Sequence, residues 1–229
     1  MEACAGYRSP SPFTDLSGIV MFYDILSPEQ QKVLPSLKFF KADFYLAGGT
    51  ALALQIGHRD SIDFDFFCEK SFVPEKLIPR LKQHLKTELS ITQQEEDTLT
   101  VVSGSLKISF LAYPYLLIEN LVETDNLRLA SIADIGCMKL SALMGRATLK
   151  DYADLYFILQ RLPLADLLET VKKKYAELDV LTVLKGLVFF EDIEPEPLAY
   201  KITTPPSFEV IKDFLAKETK KYLTTLRLG

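Results

Sequence analysis

Residues Phe44 to Phe67 read FYLAGGTALALQIGHRDSIDFDFF. Phe44 to Ala47 is an apolar extended run that stops at Gly48-Gly49-Thr50, and Ala51 to Ile56 has the composition of a short helix. Ser61 to Phe67 is extended again. There Ile62, Phe64 and Phe66 are expected on one face and Asp63 and Asp65 on the other, because strand side chains alternate. Two residues along a strand separate the Cα atoms by roughly 6–7 Å, so two like charges project together and call for a cation. Mg²⁺ is the natural one, since it takes one or two carboxylates together with phosphate oxygens. The glycine pair sits where a strand turns into a helix. There a backbone can approach a ligand closely, and free amides with a partial positive charge suit a phosphate. A tight structural turn followed by an acidic surface strand would use similar residues; the clustering favours nucleoside triphosphate chemistry.

Gly48-Gly49-Thr50, a short helix, His58-Arg59 and Ser61-x-Asp63-x-Asp65 resemble the first motif of the nucleotidyltransferase superfamily. Within it, the chain is similar to the AbiEii/AbiGii abortive-infection toxins over roughly residues 21 to 160. The resemblance implies an α+β fold, with a mixed β-sheet and flanking helices over residues 21–115 and an α-helical C-terminal half over 116–229. It also implies nucleotidyl transfer from a nucleoside triphosphate in the presence of Mg²⁺. Asp63 and Asp65 are the expected metal ligands; Gly48, Gly49, Thr50, Arg59 and Lys139 are the expected nucleotide contacts. Asp63, Asp65, Lys139 and Asp151 form the expected catalytic set. A tRNA acceptor and a cognate antitoxin protein are the partners it implies. Transfer to a protein or small molecule, and nucleotide binding with little catalysis, remain as alternatives.

The superfamily usually takes a third carboxylate from a later strand. Here that strand is Leu106-Lys107-Ile108-Ser109-Phe110, which contains no acid, so a strict three-carboxylate, two-metal arrangement is in question.

Lys139 lies within the largely apolar helix expected over Ile132 to Met144. A buried ammonium needs an anion; Asp63, Asp65 or a triphosphate would serve, and a lysine reaching out to solvent is the ordinary alternative. Asp151 and Asp154 share one face of the next helix, with Thr148 as its N-cap. Acids favour a first helical turn for dipole reasons alone. Through the resemblance, Asp151 approaches the nucleotide and Asp154 supports it against Arg146 or Lys150.

The chain has 229 residues, of which 48% are hydrophobic and 25% charged, enough to bury a sizeable core. Net charge is −5, which argues against a protein wrapped in nucleic acid. Cys4, Cys68 and Cys137 have no paired or metal-binding spacing and fit a reducing cytoplasm. His58 and His84 are the two histidines, which makes a histidine-rich metal centre or a Ser-His-Asp enzyme a poor reading. No apolar run reaches the roughly 18–20 residues of a membrane-spanning helix. Residues 1–20, rich in proline, serine and small side chains, are expected to form a disordered extension.

Further along, Ser27-Pro28 starts a helix expected to reach about Phe40, and Val73 to Leu85 reads as another despite Pro79. Glu88–Gln93, Thr98–Ser103 and Leu106–Tyr113 read as a meander of strands. Beyond Arg161, helices are expected over Leu164–Ala176, over Val180–Phe189 behind an Asp179 cap, and from Ser207 to about Leu226. Four prolines mark Glu191 to Pro206 as a connector.

Overall fold

The computed structural model describes residues 13–14 and 20–227. Most of the extension expected over 1–20 therefore lies outside the described residues. Phe13–Thr14 (β1) and Val20–Met21 (β2) are described, and they pair antiparallel. The chain divides into two compact units. The first comprises the chain up to Ala112 with Glu123–Arg128 and Leu198–Pro205; the second comprises Tyr113–Val122, Leu129–Pro197 and the chain from Pro206.

In the first unit, α1 (Pro28–Leu37) starts at a reciprocal capping box. Gln30 donates its amide to Ser27 Oγ, and Ser27 donates its own to Gln30 Oε1 at 2.9 Å. A 3-10 turn over Lys38–Phe40 completes the expected length. β3 (Tyr45–Ala47), α2 (Gly48–Ile56) and β4 (Phe64–Cys68) follow. α3 (Pro74–Leu85) buries Leu77, Leu81 and Leu85, and its interior Pro79 stands on the exposed side. That stripe outweighs the hydrogen bond the proline removes.

The meander is β5 (Ser90–Glu95), β6 (Thr98–Ser103) and β7 (Leu106–Ala112), with β5 two residues later than expected. The two-residue strands β8 (Val122–Glu123) and β9 (Arg128–Leu129) complete a seven-stranded sheet in the order β5-β6-β7-β4-β3-β9-β8. β4 runs antiparallel to β3 and parallel to β7, so the sheet is mixed. Phe66 stacks on Phe110 with ring centroids 5.2 Å apart, and Phe44 meets Phe110 edge-on at 5.0 Å. This aromatic layer forms the core beneath β4.

The second unit is helical: α4 (Ile132–Ala142), α5 (Leu149–Leu159), α6 (Leu164–Lys174), α7 (Val180–Leu187) and α8 (Phe208–Arg227). Ser131, Thr148 and Asp179 cap α4, α5 and α7. Within this unit the loop after Tyr113 is pinned by a buried pair. Lys174 Nζ lies 2.7 Å from Asp134, whose carboxylate also accepts the amides of Ile118 and Glu119. Among the described residues, no helix is long and apolar enough to cross a membrane.

Candidate active site

The strand-to-helix turn is built by glycine. Gly48 has φ +71°, a backbone region that side chains with a Cβ rarely adopt. Ala47, the N-cap of α2, is extended and its methyl side chain gives the first-turn amides no cap. The antiparallel register pairs Ala47 with Asp65. That register carries the carboxylate to the turn: a Cβ on Gly48 would lie 3.2 Å from Asp65 Oδ2.

β4 alternates as expected from Phe64 onward. Phe64, Phe66 and Cys68 are buried, and Asp65 and Phe67 are half-buried on the other face. The expected alternation does not extend back to Ile62, which is 56% exposed. Pairing of β4 with its neighbours begins only at Phe64, and Asp63 belongs to the loop before it. There the Thr50 hydroxyl donates to the Asp63 carbonyl, which ties the loop to the first turn of α2.

Arg59 is buried. Its Nη1 donates to the Asp60 carbonyl at 2.8 Å, and its Nη2 lies 2.7 Å from where a Gly49 Cβ would stand. The guanidinium is thus packed against the elbow. Gln30 Nε2 donates to the Ser61 carbonyl at 2.9 Å. The segment read as a connector also braces this loop. Asp60 donates its amide to Ala199, Lys201 donates its amide to His58, and Lys201 Nζ lies 3.2 Å from Asp60.

Asp63 has a partner that the motif alone does not reveal. Lys107 Nζ lies 2.7 Å from Asp63 Oδ2, with both side chains a little under half exposed. The parallel register pairs Phe64 with Ile108 and Asp65 with Ser109, so Lys107 follows the Asp63 position on the adjacent strand. The alternation of Leu106 to Phe110 was the available signal, because it puts Lys107 and Ser109 on one face.

A second polar cluster lies in the helical unit. Lys139 Nζ is 2.8 Å from Asp151 Oδ1 and 2.7 Å from Asp154 Oδ2. Asp154 therefore meets Lys139, rather than Arg146 or Lys150 as expected; Lys150 pairs with Glu196 at 2.8 Å. Burial by itself would depress the Lys139 ammonium, but the Asp154 and Asp151 carboxylates reverse this and hold it above the usual lysine value. Asp151 Oδ2 accepts the amide and the hydroxyl of Thr148, at 3.1 and 2.8 Å. Both of its oxygens are thus engaged.

Gly48, Gly49, Thr50, Arg59, Asp63 and Asp65 are brought together around one elbow in the first unit, while Lys139, Asp151 and Asp154 meet in the second. Burial pushes the thiol of Cys68 up to about 11 and that of Cys137 up to about 12, which disfavours either as a nucleophile. Among the described residues, no group of three or more His, Cys, Asp or Glu is placed to hold a metal. The Asp65 carboxylate at the elbow still fits Mg²⁺, which takes one or two carboxylates and completes its shell with water and substrate phosphates.

Residues 33–220 match the family model described as nucleotidyl transferase AbiEii toxin of a type IV toxin–antitoxin system. An uncharacterised protein of Aquifex aeolicus (strain VF5) is 38% identical over 190 residues, covering 79% of this chain and 88% of that one. Two solved structures share the fold. One is a protein of H. pylori assigned as a nucleotidyltransferase, with TM-score 0.54, 20% identity, and coverage of 86% of this chain and 94% of that one. The other is MenT4, a nucleotidyltransferase toxin of Mycobacterium tuberculosis H37Rv, with TM-score 0.55, 15% identity, and coverage of 83% and 81%. The glycine elbow facing an aspartate strand and the extent of the family match lead to one assignment: the chain belongs to the AbiEii nucleotidyl transferase toxin family and is a nucleotidyltransferase.

Proposed function

We propose that this transferase moves a nucleotidyl group from a nucleoside triphosphate to tRNA, requires Mg²⁺, and is held in check in the cell by a cognate antitoxin. The observation that supports the reading best is the position of Asp65 against the Gly48 turn, 3.2 Å from a Cβ built there. A phosphate bound by the turn amides would lie beside a carboxylate of the same charge, an arrangement that a divalent cation makes favourable.

In this reading the amides at Gly48, Gly49 and Thr50 hold the phosphate tail. Arg59 holds the turn in shape, and Thr50 holds the Asp63 backbone. Asp63 and Asp65 ligate the ion, which when bound polarises the α-phosphate and neutralises the leaving pyrophosphate. In the helical unit, Lys139 is the cation assigned to transfer, and Asp151 and Asp154 orient its ammonium. The engagement of both Asp151 oxygens favours that positioning role over the role of a base. The family's toxin–antitoxin description supports the antitoxin partner.

The test is incubation with each of the four α-labelled triphosphates, Mg²⁺, total RNA and total protein, resolved on a gel. Labelled tRNA that disappears in an Asp63→Ala/Asp65→Ala double variant is the expected result. Label on protein instead would refute the acceptor. The small number of clustered acids favours a second reading, nucleotide binding with little turnover. Nucleotide bound without any label transferred would select it.

A further inference from the structure

We propose that Lys107 takes the place of a second metal ion, so that this site works with one divalent cation per bound nucleotide. The inference rests on the assignment of Asp63 and Asp65 as ion ligands. On the face that carries these aspartates, β7 presents Lys107 and Ser109, and β6 presents Val102 and Thr100 opposite them. The row across the sheet at Asp65 therefore reads Asp65-Ser109-Thr100. The adjacent row pairs Lys107 with Val102, and the side chain of Asp63, from the loop before β4, meets Lys107 there. Neither row contains a further acid. In its place an ammonium lies 2.7 Å from Asp63 Oδ2.

Charge balance gives this substitution its meaning. Two dications about 3.5–4 Å apart repel strongly and need carboxylates shared between them. Asp63 has one oxygen on an ammonium, which leaves it less charge to share. The ammonium supplies a positive charge beside Asp63 and needs no free metal to do so. Among the described residues, the first-unit acids form no group of three that could hold an ion.

The experiment counts Mn²⁺. The full chain, saturated with an α,β-methylene triphosphate analogue, is titrated with Mn²⁺ while electron paramagnetic resonance reads the free aquo ion. One Mn²⁺ per chain–nucleotide complex is expected for the wild type, and two for Lys107→Asp, which supplies the third carboxylate. Two Mn²⁺ in the wild type would overturn the proposal while leaving the transferase site intact, and this count does not depend on the variant folding. A count of one in a folded Lys107→Asp protein would overturn it as well. Wild-type Mn²⁺ binding no tighter than that of Asp63→Ala/Asp65→Ala would overturn the aspartate assignment itself.

Discussion

The ammonium of Lys139 lies 2.7 Å from the carboxylate of Asp154, whose side chain is fully buried. Asp151 approaches the same ammonium at 2.8 Å. One cation therefore serves two carboxylates in a nearly dry site. Removing the lysine would take this counter-charge from both.

Loss of Lys139 is thus expected to affect stability as well as activity. Lys139→Met should cost roughly 3–5 kcal/mol, the usual effect of breaking a buried pair from one side. A Lys139→Met/Asp154→Leu double variant should recover part of it, since Asp151 loses the ammonium but keeps its bonds to Thr148. Urea denaturation measures both. If Lys139 serves transfer, the double variant stays inactive while folding well; recovery of label transfer would reduce the lysine to a structural part.

Asp63 should behave in the opposite way. Its pair with Lys107 is nearly half exposed, and such pairs contribute at most about 1 kcal/mol. Asp63→Ala is expected to leave the denaturation midpoint almost unchanged and to reduce label transfer by about a hundredfold or more, the scale seen when a group that stabilises transition-state charge is lost. A normal rate would remove Asp63 from the chemistry.

The elbow should tolerate no Cβ. Gly48→Ala forces a side chain into left-handed backbone, at a cost of about 1–2 kcal/mol. Gly49→Ala places its Cβ 2.7 Å from Arg59 Nη2 and 2.9 Å from Ser61 Oγ. Both variants should bind nucleotide more weakly, and Gly49→Ala should also displace Arg59. Equilibrium titration with a fluorescent triphosphate reports the loss; unchanged affinity would place the phosphate elsewhere.

The Thr50 hydroxyl ties Asp63 to the helix. Thr50→Val should therefore weaken Mg-nucleotide binding and cost about 1 kcal/mol of stability, the net worth of such a bond. Thr50→Ser should retain both. Equal behaviour of the two variants, measured by titration and denaturation, would rule out the positioning role.

Alkaline pH should unfold the protein earlier than its exposed groups would predict. Burial raises Cys137 from 9.0 to about 12 and Tyr152 from 10.0 to about 12. Each group is neutral in the folded protein while its unfolded counterpart ionises, so stability is full below the unfolded value and declines between about pH 9 and 12. Chemical denaturation across that range, repeated on Cys137→Ala, should show a shallower decline in the variant.

Much of the fold and of the elbow was legible because their encoding is local. The two-residue alternation of Phe64-Asp65-Phe66, the glycine pair, and the caps Ser27, Thr148 and Asp179 each act on a backbone within a few residues. The alternation stops short of Ile62, because strand pairing begins at Phe64 and nothing local in the sequence encodes that limit.

What the sequence determined by itself is the kind of chemistry: paired aspartates beside a glycine turn, on a chain with two histidines and no cysteine pair. Only the tertiary structure decided which partner each charge meets. Lys139 found Asp151 and Asp154, Asp63 found Lys107, and Ala199 to Lys201 returned to brace His58 to Asp60. Such pairings depend on strand register and helix packing between residues distant in the chain, and a buried charge selects its counter-ion only after those have excluded water.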